Sequence, residues 1–185
     1  WHPYRWGPLT SGAAVGGLTD GEAKFPKTSE AVAEAAEPQA VKAELKAQIE
    51  HAKAAGIEPT HIDTHMGSVM HGPLYDVFVD LALEYGIPPF ALRLTAEQWS
   101  FGGYPEESCA LFERRAAELE AAGVPTLDRI LSVSLSEEED RAGKTKQALS
   151  SIKPGQMSYF ILHPSHDTAE LRGICPDWRS RVMDL

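Results

Sequence analysis

The sequence predicts an α/β fold with parallel strands, and three observations predict it. One joint recurs along the chain as AGIEP, YGIPP and AGVP: a helix end, a glycine (Gly56, Gly86, Gly123), a β-branched residue, then a proline ahead of an extended run. Amphipathic stretches of helical period alternate with short apolar runs, the order of a strand-helix-strand repeat. Right-handed crossovers through helices of this length make successive strands parallel.

Taken in order, residues 9–21 are rich in Gly, Ala, Ser and Thr and read as a surface loop, followed by a short helix over 29–36. A longer helix is expected over 38–55, where Pro38 suits the first turn, Val41, Leu45, Ile49 and Ala52 recur at helical spacing, and Gly56 supplies the stop. A strand over 60–65 leads to a helix over 73–85 that buries Leu74, Val77, Phe78, Leu81 and Ala82. An apolar strand over 90–94, a helix over 105–122 with Cys109, Phe112, Ala116 and Leu119 on one stripe, and a strand over 127–133 complete the next units. The last unit is an acidic helix over 137–151, with Glu137 to Asp140 as its solvated, dipole-compensating first turn, and a strand over 157–162.

The chemistry collects around Thr60-His61-Ile62-Asp63-Thr64-His65. On a helix, His61 and His65 would lie one turn apart and could grip one ion. On a strand, His61, Asp63 and His65 share a face, with the two histidines roughly 13 Å apart, so only one could ligate a given ion. Pro59 and the β-branched Ile57, Thr60, Ile62 and Thr64 favour the strand.

In parallel α/β architectures functional groups gather at the carboxyl ends of strands. His65 closes one strand, Arg93 lies near the end of the next, and His163 follows the last in Leu162-His163-Pro164. Arg93, inside an apolar run, needs a carboxylate or a substrate as partner, or extends its guanidinium to water. His2, His51, His71 and His166 have no such placement and default to surface or loop.

Imidazole and carboxylate donors suit a divalent ion whose bound water is a nucleophile near neutral pH. A second histidine can protonate a leaving group, and Asp63, with His61 beside it, can orient a ligand ring. A catalytic ion asks for about three protein ligands, and the chain offers His65 alone.

Composition bounds the partners. With 185 residues and 43% hydrophobic content, the chain is long enough for a single domain with its own core. Seventeen basic against 27 acidic residues give a net charge of -10, which disfavours nucleic acid and anionic membranes. No apolar run reaches the length of a membrane span. The two cysteines, Cys109 and Cys175, read as reduced thiols in a reducing, cytoplasmic compartment. The chain opens on Trp1 rather than methionine, in an aromatic segment WHPYRWGPL that reads as the interior of a longer protein.

Together, THIDTH after the AGIEP joint, the LHP of 162–164, the ALRL strand and WHPYRWGPL resemble the YdjC-like carbohydrate deacetylase family, which includes chitooligosaccharide deacetylases. The resemblance implies a (β/α) barrel-like fold, incomplete in this chain, over a single domain spanning 1–185. It also implies a divalent metal, magnesium or zinc, and hydrolysis of N-acetyl groups on amino sugars. The family's metal-binding histidine falls on His65, with Asp63 and His61 behind it. The general acid falls on His163, and Arg93 matches a pocket-lining arginine. Trp6, with Tyr4, could stack on a sugar ring.

Family members carry an upstream Asp-Asp pair and a further ligand histidine, both expected before Trp1, and a closing strand expected beyond Leu185. The segment HMGSVMHGP (65–73) lacks the histidine density usual after the motif. Two other readings stand beside the deacetylase. One is a non-catalytic carbohydrate-binding or assembly subunit, the other a different barrel sugar hydrolase or isomerase. An open barrel would expose edges, for which a second copy of the chain is a candidate partner.

Overall fold

The computed structural model describes residues 4–185; residues 1–3, including His2 and the start of the aromatic segment, lie outside the described residues. The chain divides into two compact units, a larger one over Arg5–Thr126 and a smaller one formed by Leu127–Leu185 with Tyr4.

The larger unit is a stack of helices. After a 3-10 turn at Gly12–Val15 come α1 (Ser29–Ala35), α2 (Pro38–Ala54), a second 3-10 turn at His65–Gly67, α3 (Gly72–Tyr85), α4 (Ala96–Ser100) and α5 (Glu106–Ala121). The apolar face of α3 is the most deeply buried: Tyr75, Val79, Leu81 and Ala82 are inaccessible to solvent and Phe78 nearly so. It packs against α2 on one side and α5 on the other. Phe112 of α5 meets Tyr75 edge-on at 4.7 Å between ring centres, and Trp99 of α4 lies 4.8 Å from Phe112. The helix ends follow the sequence closely, with Pro38 in the first turn of α2 and Gly86 in the left-handed conformation after α3. The short α4, which the apolar pattern did not predict, is fixed by a capping box between Thr95 and Gln98.

The strands are shorter than predicted. Of the expected strand over 60–65, what forms is one parallel bridge, Ile62 to Pro89, in which the Ile62 N–H donates to the Pro88 carbonyl (2.9 Å) and the Phe90 N–H to the Ile62 carbonyl (2.8 Å). The proline joints explain the shortening. Pro59, Pro88 and Pro89 have no N–H to give, and the Thr64 N–H is turned to Asp63 Oδ1 at 2.6 Å. The alternation survives: His61, Asp63 and His65 are exposed while Ile62 and Thr64 are half-buried.

The smaller unit holds β1 (Arg129–Ser132), α6 (Arg141–Ser150), β2 (Ser158–Ile161), α7 (Ala169–Ile174) and α8 (Trp178–Met183). The two strands pair in parallel, with Arg129 opposite Ser158 and Leu131 opposite Phe160, as a crossover through a helix requires. The acidic run 137–140 is a turn ahead of α6, not its first turn. Asp140, at φ 46°, caps the helix through the Gly143 N–H (3.2 Å), and a Cβ at position 143 would strike that carboxylate. Two short helices, α7 and α8, follow β2 in a stretch without apolar periodicity. The described architecture is thus a helix-dominated α/β fold with a small parallel sheet. Both cysteines are buried free thiols, and among the described residues no helix is long and apolar enough to cross a membrane.

Glu44 ties the glycine-rich loop to α2. It is 3% exposed and accepts from the Leu9 N–H (3.0 Å), the Thr10 N–H (2.9 Å), the Thr10 hydroxyl (2.9 Å) and Gln48 (2.7 Å). Burial pushes its pKa up, but the bonds from Gln48, Thr10 and Leu9 outweigh burial and hold it below the usual carboxylate value. A depressed folded pKa gives stability that is present above the unfolded value, about 4.3, and lost as pH falls through the folded one. We expect Glu44→Gln to cost about 1–3 kcal/mol at pH 7. In urea titrations the gap from wild type narrows as pH is lowered through 4.

Candidate functional site

In the larger unit, the polypeptide leaves the Ile62 bridge and turns sharply at His65–Gly67. Thr64 closes this turn by accepting the Gly67 N–H on its carbonyl (3.2 Å) and the Val69 N–H on its hydroxyl (3.3 Å). The His65 carbonyl accepts the Ser68 hydroxyl at 2.8 Å. Backbone bonds therefore fix His65 while its ring stays exposed. Met66, next to it, sits at φ 57° and is 78% exposed, a left-handed conformation that a non-glycine residue adopts at a cost.

His61 and Asp63 border a cavity of about 250 Å³ whose walls are Ile49, Ala52, Ile62, Phe78 and Leu81. The Thr60 hydroxyl lies 3.1 Å from His61 Nδ1. Arg93 pairs with Glu120 of α5 at 3.2 Å, both side chains partly exposed, and Glu120 also accepts the Thr126 hydroxyl at 2.9 Å. Trp6 is 62% exposed, and its carbonyl accepts the Phe25 N–H. Beside it, Arg5 bonds to Asp20, Glu22 and the Phe25 carbonyl. The Arg5 guanidinium holds the Asp20 carboxyl down at about 2.

His71, which the sequence leaves at the surface or in a loop, precedes α3 and lies on a second cavity of about 490 Å³. That cavity is lined by the starts of α3 and α5, including Pro73, Tyr104, Glu107 and Ser108. The signal for it was the helix-start sequence His71-Gly72-Pro73, read only as a boundary.

In the smaller unit, His163 stands two residues beyond the end of β2 and is half-buried. Its backbone N–H donates to Asp184 Oδ2 at 3.3 Å. The Asp177 carboxylate is near enough to His163 to feel its charge, though the Arg181 guanidinium is the main reason its pKa lies below the usual range. Tyr4 donates to Glu170 at 3.4 Å. No spacing rule pointed to Asp184, whose partners Arg141 and His163 become neighbours only through the fold, whereas Asp177 and Arg181 stand at the i,i+4 spacing of a helical ion pair.

Among the described residues no group of three or more His, Cys, Asp or Glu side chains converges on a point that could hold a metal ion. His65 by itself does not meet the three-ligand requirement of a catalytic ion, so the described residues do not amount to a complete metal centre.

Residues 3–185 match the family described as YdjC-like protein. The chain is 34% identical over 184 residues to a carbohydrate deacetylase of Thermus thermophilus, a match covering 100% of this chain and 64% of that protein. A carbohydrate deacetylase of Brevibacillus brevis is 36% identical over 84 residues, 43% of this chain and 34% of that protein. The fold is similar to the crystal structure of an Enterococcus faecalis protein provisionally described as a cellobiose-phosphate cleavage protein. The TM-score is 0.69 at 20% identity, over 96% of this chain and 62% of that one. The chain thus spans less than two thirds of the length of the Thermus relative and of this structural neighbour.

The left-handed Met66 gives a local test. Relief of its strain makes Met66→Gly neutral or stabilising, whereas the β-branched Met66→Val is expected to cost about 1–2 kcal/mol relative to it, read from urea midpoints.

Proposed function

The chain belongs to the YdjC-like protein family, and from that premise we propose that it is part of a hydrolase that removes N-acetyl groups from amino sugars or their oligosaccharides. The observation that carries the reading is the 34% identity along the whole chain to a carbohydrate deacetylase. The exposed face of His61, Asp63 and His65 supports it, since Asp63 and His65 follow Ile62 on the carboxyl side of a parallel pair, where such folds do their chemistry.

In this reading both units belong to one (β/α) barrel-like domain, and a divalent ion, magnesium or zinc, takes His65 as one ligand, with the remaining ligands beyond the described residues. When bound, such an ion supplies an activated water at neutral pH. Asp63, whose Oδ1 accepts the Thr64 N–H, and His61 share the face of His65 and serve to orient its ring. His163 holds the proton that the departing amine must receive. Trp6 offers an exposed indole for a sugar face, and Arg93, anchored by Glu120, offers donors to sugar hydroxyls. A second copy of the chain is the proposed cover for sheet edges left open.

The test is His65→Ala in the full-length protein, with acetate release from N-acetylglucosamine oligomers and calorimetric metal binding as readouts. The reading expects both to fall by at least about 100-fold, beyond the 10–100-fold typical of losing a supporting group around a ligand. A variant that retains metal affinity and acetate release would overturn the ligand role of His65.

A further inference from the structure

Arg141 opens α6, yet its side chain is 2% exposed and that of its partner Asp184 1%. Burying an ion pair is costly unless every donor and acceptor is matched, and an apolar replacement often serves stability as well. Here four N–H groups are hydrogen-bonded and a further close contact is made as an ion pair. A guanidinium has five N–H groups. Nε reaches Asp184 Oδ1 at 2.8 Å, and Nη1 reaches the carbonyls of Ser134 (2.7 Å) and Glu137 (2.8 Å). Nη2 reaches the Val133 carbonyl (3.3 Å) and Asp184 Oδ1 (2.7 Å).

Both contacts from Arg141 to Asp184 fall on Oδ1, which leaves Oδ2 for the backbone N–H of His163 at 3.3 Å. One ion pair therefore joins the carbonyls just past the end of β1 to the residue just past the end of β2. The helix ending at Asp184 is held to the same edge, through the Ser180 hydroxyl on the Leu135 carbonyl (2.7 Å) and the Ser165 N–H on the Arg181 carbonyl (3.0 Å).

We infer that Asp184, locked by Arg141, is a positioning residue that sets the backbone of His163 and so the direction of its imidazole. The inference rests on the proposed role of His163 as proton donor, and it adds a device that no sequence motif announces. The carboxylate does not touch the reacting atoms; it acts through the peptide of His163.

The experiment uses the full-length protein and three variants, Asp184→Ala, Asp184→Asn and Arg141→Lys, each checked for cooperative unfolding. Amide hydrogen exchange at His163 and steady-state deacetylation of N-acetylglucosamine oligomers are measured. For Asp184→Ala we expect His163 amide protection to fall at least about 10-fold and kcat to fall about 10–100-fold, with KM within about twofold. Asp184→Asn, which keeps an acceptor for the amide, recovers part of both. Arg141→Lys keeps the charge but not the five-way fork, and lowers kcat in the same way; it carries the test with Asp184→Asn if Asp184→Ala does not fold. Unchanged His163 exchange, or lost protection with unchanged kcat, overturns the inference. Absence of deacetylation by the wild-type protein overturns the proposed function instead, and the exchange data still decide whether Asp184 sets His163.

Discussion

The larger unit depends on the burial of α3. Tyr75, Phe78, Val79 and Leu81 are all but removed from water, and each such side chain contributes roughly 1.5–3 kcal/mol. Because α2 and α5 both pack on this helix, its position determines where the chain enters at Gly72 and leaves at Gly86. The turn His65–Gly67 sits just ahead of that entry, and Pro88 and Pro89, which meet Ile62, just after the exit. The exposed face of His61, Asp63 and His65 is thus supported mainly by a helical core, with a single backbone bridge beside it.

That balance comes from the proline joints. The glycine ends each helix in a conformation only it adopts freely, and the proline then removes the donor that a longer ladder would need. The result is a bridge at Ile62 in the larger unit and a two-stranded parallel sheet in the smaller one. Helix positions were therefore legible from apolar spacing, and α2, α3 and α5 begin and end within a residue or so of where glycine and proline place them. Strand lengths were not legible, because β-branched residues favour extended backbone without supplying pairing partners. α4, α7 and α8 are short and set by local capping and tertiary contacts, so periodicity could not reveal them.

The candidate site divides along the same line. The period-2 pattern put His61, Asp63 and His65 on one face, and their exposure agrees. Arg93 needed a partner, and Glu120 provides one from α5. The supports of His163 were invisible, since Arg141 and Asp184 are far apart in sequence and neither looks unusual there. Only the fold shows that one buried guanidinium collects carbonyls from the end of β1 and hands a carboxylate oxygen to His163. Family resemblance adds what geometry alone could not, since the described residues hold one candidate ligand and no complete metal centre.

The most direct measurement of the central claim is the identity of the bond broken. The full-length protein, supplied with magnesium or zinc, is incubated with N-acetylglucosamine oligomers, and the products are resolved by mass spectrometry and acetate assay. The account predicts oligomers of unchanged length with an acetyl group replaced by hydrogen, and free acetate in equal amount. Shortened oligomers that keep every acetyl group, or sugar that is bound and returned intact, would contradict it.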